Sequence, residues 1–169
     1  MRGFRFTRAL AVAASGILLA GLSSAGESPG LRITGMTFVG SRGDESQLVV
    51  RAERAFFHPD SGLADLEVVR AQVSDAEKGE SFQMQCDRAE LNVETSDFTA
   101  IGNVKGLTGD GQRYSAPWVR YVHASSMLQS DAPVTLVDGG STFRGDGFRY
   151  HIDERRFELL GNVVMEQTP

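Results

Sequence analysis

The chain has 169 residues, of which 41% are hydrophobic and 23% charged, so it fits one globular domain and is too apolar for disorder. Lys and Arg total 17 against 22 Asp and Glu, and three of the cations (Arg2, Arg5 and Arg8) sit at the extreme N-terminus. The remainder of the chain is acidic, which argues against electrostatic binding of nucleic acid, and the single Cys86 excludes an intramolecular disulfide or a cysteine-built zinc site.

Residues 1–29 read as a targeting segment. The three arginines precede an apolar run from Ala9 to Leu22, and the small residues Ser23-Ser24-Ala25 come after it. This is the layout of an export signal, expected as one short apolar helix. Two readings compete: cleavage after Ala25, or retention as a membrane anchor. A spanning helix wants about 20 apolar residues, and the run reaches 17 when extended through Ala25. Either way residues 30–169 form the exported domain, and the basic head keeps the N-terminus in the cytoplasm. No cysteine directly follows the apolar run to take a lipid.

From Leu31 onward the periodicity is that of strands. Phe82, Met84 and Cys86 alternate with Gln83 and Gln85; Leu91 and Val93 flank Asn92; Phe148, Tyr150 and Ile152 alternate with Arg149 and His151; Phe157 and Leu159 flank Glu158. Strict alternation marks strands with one buried and one wet face. Tight turns are expected at His58-Pro59-Asp60-Ser61-Gly62, Gly109-Asp110-Gly111, Asp138-Gly139-Gly140 and Gly145-Asp146-Gly147.

The pattern repeats. Ala89-Glu90-Leu91, Val119-Arg120-Tyr121 and Phe148-Arg149-Tyr150 begin 30 and 29 residues apart. Nine positions after each start stands Phe98, Leu128 or Phe157, and fifteen after it Val104, Val134 or Val163, closing Gly102-Asn103-Val104, Ala132-Pro133-Val134 and Gly161-Asn162-Val163. A looser copy starts at Ala55-Phe56-Phe57. Each copy is a strand, a turn and a strand. A hairpin with one apolar face must stack on its neighbours to hide that face. The fold class expected is therefore all-β, with about a dozen strands in facing layers or a rolled sheet. Phe57, Phe82, Met84, Leu91, Val93, Phe98, Tyr121, Leu128, Val134, Leu136, Phe148, Tyr150, Phe157, Leu159 and Val163 are the expected inward residues. Unless the sheet closes into a barrel, its first and last strands keep unpaired backbone groups that invite strand addition.

Catalytic chemistry finds little support. His58, His123 and His151 fall in different copies without ligand spacing, so they read as polar residues at strand margins and no metal site is expected. Gly109-Asp110-Gly111 and Gly145-Asp146-Gly147 lack the tandem aspartates of calcium-binding glycine repeats and read as turns. No serine stands in a nucleophile elbow. Cys86, in phase with Phe82 and Met84, reads as a small buried hydrophobe. Trp118 reads as a partly covered rim residue, or else as a surface anchor for a partner or lipid. Arg113, Arg120, Arg144, Arg149, Arg155 and Arg156 read as a solvated outer face, the alternative being a phosphate-facing role. Neither an enzyme nor a cofactor is called for.

These segments resemble the periplasmic lipopolysaccharide-export proteins of the OstA-like group, and within it the LptC family, attached to the inner-membrane export transporter. The resemblance rests on the basic head and short apolar segment, on Leu31 to Val39, and on Leu48 to Phe57 with Ala52 and Ala55. It continues through Met84-Gln85-Cys86-Asp87-Arg88-Ala89-Glu90-Leu91 to Gly102-Asn103-Val104, then Ser130-Asp131-Ala132-Pro133-Val134 and Gly145-Asp146-Gly147-Phe148-Arg149-Tyr150. It spans about Leu31 to Gln167, and the order and spacing of short motifs carry it.

The resemblance implies a twisted, open β-jellyroll of repeated antiparallel strand pairs whose interior holds lipopolysaccharide acyl chains. It implies periplasmic placement, with the N-terminal segment kept as an inner-membrane anchor. Lipid would arrive from the ABC transporter subunits and pass to a soluble LptA-like bridge protein of the same fold. Carried onto this chain, the lipid-lining residues are Phe57, Phe82, Met84, Leu91, Phe98, Tyr121, Leu128, Leu136, Phe148, Tyr150, Phe157 and Leu159. The partner edges are Leu31, Ile33, Phe38 and Val39 on the transporter side and Val163, Val164 and Met165 on the bridge side. A soluble LptA-like bridge and a lipid-free adaptor pairing through sheet edges remain the alternatives.

Overall fold

The computed structural model describes residues 29–42, 46–75 and 81–167. The expected N-terminal helix lies outside the described residues. Among the described residues twelve strands form a single antiparallel sheet. Six long ones run as a meander: β1 (Leu31–Arg42), β2 (Ser46–His58), β3 (Leu63–Asp75), β4 (Ser81–Asn92), β5 (Phe98–Leu107) and β6 (Arg113–Val122). Six short ones complete it: β7 (Met127–Ser130), β8 (Val134–Asp138), β9 (Ser141–Gly145), β10 (Gly147–His151), β11 (Arg156–Leu160) and β12 (Val164–Gln167). Within the meander each strand pairs with its neighbours in the chain, as the sequence repeat requires.

The short strands are halves of longer ones. β7 pairs with one end of β6 through Tyr121 and Leu128, and β8 with the other end through Tyr114 and Leu136. β10 and β9 extend those two rows, and β11 and β12 extend them again. Three expected turns reverse the chain: residues 59–62, with Gly62 N–H donating to the His58 carbonyl at 3.0 Å; residues 108–112; and the two-residue Gly139-Gly140 hairpin between Asp138 and Ser141. Gly145-Asp146-Gly147 does not. There the strand breaks and continues onward, because β9 and β10 lie beside β8 and β7 respectively instead of beside each other. The expected tight turn is a bend within one strand.

That bend belongs to a line crossing the whole sheet. Gly35 lies opposite Glu53, Glu53 opposite Val68, and Val68 opposite Asp87, each a gap in otherwise continuous pairing. The β4–β5 and β5–β6 registers then shift by one residue across Gly102-Asn103, a β-bulge. Beyond β6 the line passes through residues 131–133, Asp146 and Gly161-Asn162, where each strand is cut in two. Bulges bend a strand and sharpen its twist, so aligned bulges crease the sheet.

Two copies of one device hold the crease. Gly102 (φ +80) and Asn103 (φ +48) are left-handed, as are Gly161 (φ +64) and Asn162 (φ +25). The Asn103 Nδ2 donates to Asp87 Oδ2 at 2.7 Å, and the Asn162 Nδ2 to Asp146 Oδ2 at 2.7 Å. A Cβ on Gly102 would stand 2.9 Å from Asp87 Oδ2, and one on Gly161 2.6 Å from Asp146 Oδ2. Glycine is thus required twice over, by backbone sign and by the carboxylate beside it. Val68, at the equivalent position of the looser first copy, adopts φ +54 with a β-branched side chain, a strained arrangement.

The crease lets the apolar face close on itself. Phe82 of β4 reaches Tyr150 of β10 at 6.1 Å between ring centroids, and Tyr114 of β6 reaches Phe148 of β10 at 5.3 Å and Phe157 of β11 at 6.2 Å. β4 and β10 are not neighbours in the sheet, so these are contacts across the interior. β1 and β11 have a strand on one side only, and the sheet is not closed.

The two kinds of left-handed residue predict opposite outcomes. Gly102→Ala should cost at least about 1–2 kcal/mol from strain and crowding. Val68→Gly should be neutral or stabilise by up to about 1 kcal/mol, the strain relieved exceeding the added chain entropy. Urea unfolding of both variants checks this; equal losses would show that the crease does not depend on these backbone conformations.

Candidate functional site: the apolar inner face

Alternation places every second residue of each strand in one contiguous interior. Tyr121 and Phe148 are 0% exposed, and Leu91, Leu128, Phe82, Met84, Phe98, Leu136 and Tyr150 are buried with them. Phe57, Phe157 and Leu159 are half-buried and pack against that core. All twelve expected lining residues therefore meet on one face. Val93 is half-buried, and Val134 is fully inside. Val163 is the correction among the inward residues: it is 50% exposed, because the Gly161-Asn162 break turns the chain outward just before β12.

The interior is aromatic at its centre. Phe148 stacks on Phe157 at 5.0 Å and 9°, and Phe82 on Tyr114 at 5.7 Å and 17°. Tyr114 lies over Gly106, where a Cβ would collide with the ring, and its hydroxyl donates to the Met84 sulfur at 3.7 Å. Burial in this apolar surrounding pushes the Tyr114 and Tyr150 hydroxyls above their ordinary value. Burial likewise pushes the Cys86 thiol up to about 11 from 9.0, against the hydrogen bonds from its backbone neighbours. A thiol held protonated is a poor nucleophile, and Cys86 Sγ donates to the Arg88 carbonyl at 3.1 Å.

The expected partner edges are at the sheet's rims. Leu31 and Val39 of β1 are exposed, while Ile33 and Phe38 turn inward and pack on the core. Val163, Val164 and Met165 are exposed at the opposite end. Two apolar rims thus flank the opening between β1 and the β11–β12 row.

The polar candidates scatter. His58 Nε2 meets Asp65 Oδ2 at 2.8 Å on the surface. His123 is buried at the end of β6, its Nδ1 3.1 Å from the Tyr121 hydroxyl, and His151 is half-buried on β10. No group of three His, Cys, Asp or Glu among the described residues could hold a metal. Trp118 is half-buried opposite Ile101. Of the late arginines, Arg144 pairs with Glu166 at 2.7 Å, Arg155 with Asp110 at 3.8 Å, and Arg156 with Glu154 and Glu158. Arg113 instead joins Arg51, Arg70 and Lys105 around a groove in the outer face. Residues 51, 70 and 105 give no local signal in the sequence; only strand register brings them together.

The family model for LptC, lipopolysaccharide-assembly, LptC-related, matches residues 40–166. The chain belongs to the LptC-related family. Membership places it in lipopolysaccharide assembly, in accord with the resemblance of its motifs. Among solved structures it is similar to LptH of Pseudomonas aeruginosa, described as the LptA-homologous periplasmic component of the lipopolysaccharide transport device. The TM-score is 0.58 at 13% identity, covering 72% of this chain and 95% of that one; the likeness shows the shared fold, an open all-β jellyroll. No curated protein matches the chain. For this family member, no helix among the described residues is long and apolar enough to cross a membrane, and the anchor expected over Ala9 to Ala25 lies outside those residues.

The raised Cys86 value makes a stability prediction. Unfolded, the thiol ionises near 9.0; folded, it keeps its proton to about 11. Its contribution is therefore complete below pH 9 and is lost as pH rises toward 11, at up to about 1.4 kcal/mol per pH unit. Cys86→Ala should flatten the fall in stability between pH 9 and 10, where the thiol outweighs the tyrosines, whose unfolded hydroxyls ionise around 10.0. Urea midpoints across that range check it; an unchanged slope would show that the fold does not hold the thiol protonated.

Proposed function

We propose that the inner face receives the acyl chains of lipopolysaccharide and relays them from the inner-membrane ABC transporter subunits to an LptA-like bridge protein. The observation that carries this reading is a continuous aromatic and aliphatic interior within a sheet left open at both edges. An acyl chain of about a dozen carbons exposed to water costs on the order of 10 kcal/mol, at roughly 0.8 per CH₂. A lipid crossing an aqueous compartment therefore needs an apolar lining along its path, and membership in the lipopolysaccharide-assembly family supports that cargo.

The opening between the rims is the way in. Ile33, Phe38, Phe157 and Leu159 are half-buried beside it, so they can exchange contacts with each other for contacts with a lipid at small cost. Phe, Leu and Met side chains repack around variable chains more readily than β-branched ones. The rims themselves suit strand addition: Leu31 to Val39 toward the transporter, and Val163 to Met165 toward the bridge. Residues 1–29 hold the domain at the periplasmic side of the inner membrane. No step here needs covalent chemistry, and the energy comes from the ATPase partner.

Site-specific photocrosslinking in living cells tests this. A photoreactive residue at Tyr121 or Phe148 should give lipopolysaccharide adducts, whereas one at Arg120, next to Tyr121 on the outer face, should give none. Protein adducts without lipid from a folded, exported chain would overturn the conduit and leave a lipid-free adaptor.

A further inference from the structure

The groove in the outer face has a volume of about 700 Å³. Its walls are mainly residues that alternate with the core, Gln83 and Gln85 flanking buried Met84 and Arg113 and Ser115 flanking buried Tyr114, and Ala71, Met84 and Tyr114 line it too. Register aligns them across the sheet. Arg51 stands opposite Arg70, Arg70 opposite Gln85, Gln85 opposite Lys105, and Lys105 opposite Ser115.

The groove concentrates positive charge. Its described lining holds four cations, Arg51, Arg70, Lys105 and Arg113, and no carboxylate, on a chain of net charge −5. None of the four side chains has an ion-pair or hydrogen-bond partner among the described residues. Elsewhere on the outer face Arg54, Arg144 and Arg156 are each matched by a glutamate. Like charges directly opposite on neighbouring strands, as Arg51 and Arg70 are, destabilise a sheet. An unmatched cationic row with amide and hydroxyl groups between its charges has the chemistry of a site for an anion rich in hydroxyls.

We propose that this groove binds a phosphorylated saccharide. The guanidinium forks of Arg51, Arg70 and Arg113 suit phosphate oxygens, and Lys105 adds a point charge. The Gln85 amide and Ser115 hydroxyl can exchange hydrogen bonds with sugar hydroxyls. An acidic peptide fits less well, since peptide recognition leans on apolar anchors and Leu107 and Val137 are the only exposed large apolar residues among the groove's described lining. The saccharide can be the head of an intact lipid, a source that rests on the lipid-conduit reading proposed for the inner face, or a free sugar phosphate.

The test uses the full chain and probes without acyl chains. Lipopolysaccharide stripped of its fatty acids, the same material after phosphatase, glucose 6-phosphate and inorganic phosphate are each titrated while amide shifts are monitored by NMR. The deacylated head should shift amides around Gln85 and Ser115 and should bind at least tenfold more weakly after phosphatase treatment. Arg70→Glu with Lys105→Glu should weaken it at least tenfold, and Arg120→Glu, on the same face but outside the groove, should not. Glucose 6-phosphate binding as tightly as the deacylated head would support the proposal with a free sugar phosphate as the source. Undiminished binding by the dephosphorylated head, or shifts confined to other strands, would overturn it. So would displacement by an equal concentration of inorganic phosphate, which needs only a simple anion patch. The wild-type shift map decides the matter even if the double variant fails to fold. Because these probes lack acyl chains, the outcome is independent of crosslinking at Tyr121 and Phe148, and either reading can fail alone.

Discussion

A sheet apolar on one side has to hide that side, and in this chain it does so by creasing along a single transverse line. Gly35, Glu53, Val68, Asp87, Gly102-Asn103, residues 131–133, Asp146 and Gly161-Asn162 form that line. An unbroken twisted sheet of this width would leave Phe82 and Tyr150 far apart. Bulges placed at the same level on successive strands add their bends, and the two arms meet around Tyr114 and Phe148. The Asp–Asn hydrogen bonds at Asp87 and Asp146 make the crease specific, since each holds a left-handed pair on one strand against a carboxylate on its neighbour.

Closing by a crease instead of by a barrel leaves both rims open, and this couples stability to function. The interior is covered well enough that Tyr121 and Phe148 see no solvent, while β1 and the β11–β12 row keep unpaired backbone and half-covered apolar side chains. A barrel would satisfy those groups and shut the opening. The open form leaves room for what we propose of this lipopolysaccharide-assembly family member, entry of an amphiphile from the side and addition of like sheets at the ends.

Period-two alternation gives the same strands two unlike surfaces. Met84 and Tyr114 build the interior, and Gln83, Gln85, Arg113 and Ser115 between them build the outer groove. A one-residue slip in register would exchange the two faces, so what fixes the core also fixes the cationic row.

The inner face was legible in the sequence because alternation and a recurring spacing are local signals. Phe82, Tyr121, Leu128, Phe148 and Tyr150 could be assigned inward without knowing which strand lay beside which. The hairpins at Gly62 and Gly139-Gly140 were legible for the same reason. Gly145-Asp146-Gly147 was not, because a turn and a strand bend use the same residue types, and only its neighbours on β7 and β8 decide between them. Val163 carried a recurring apolar position, yet the break just before it turned it outward. Arg51, Arg70, Lys105 and Arg113 are scattered over five strands' length of chain with no spacing that relates them. The sequence by itself determined a repeated, one-sided sheet, because both properties are written in neighbouring residues. The crease, the open rims and the cationic groove depend on cross-strand register, which only the folded chain decides.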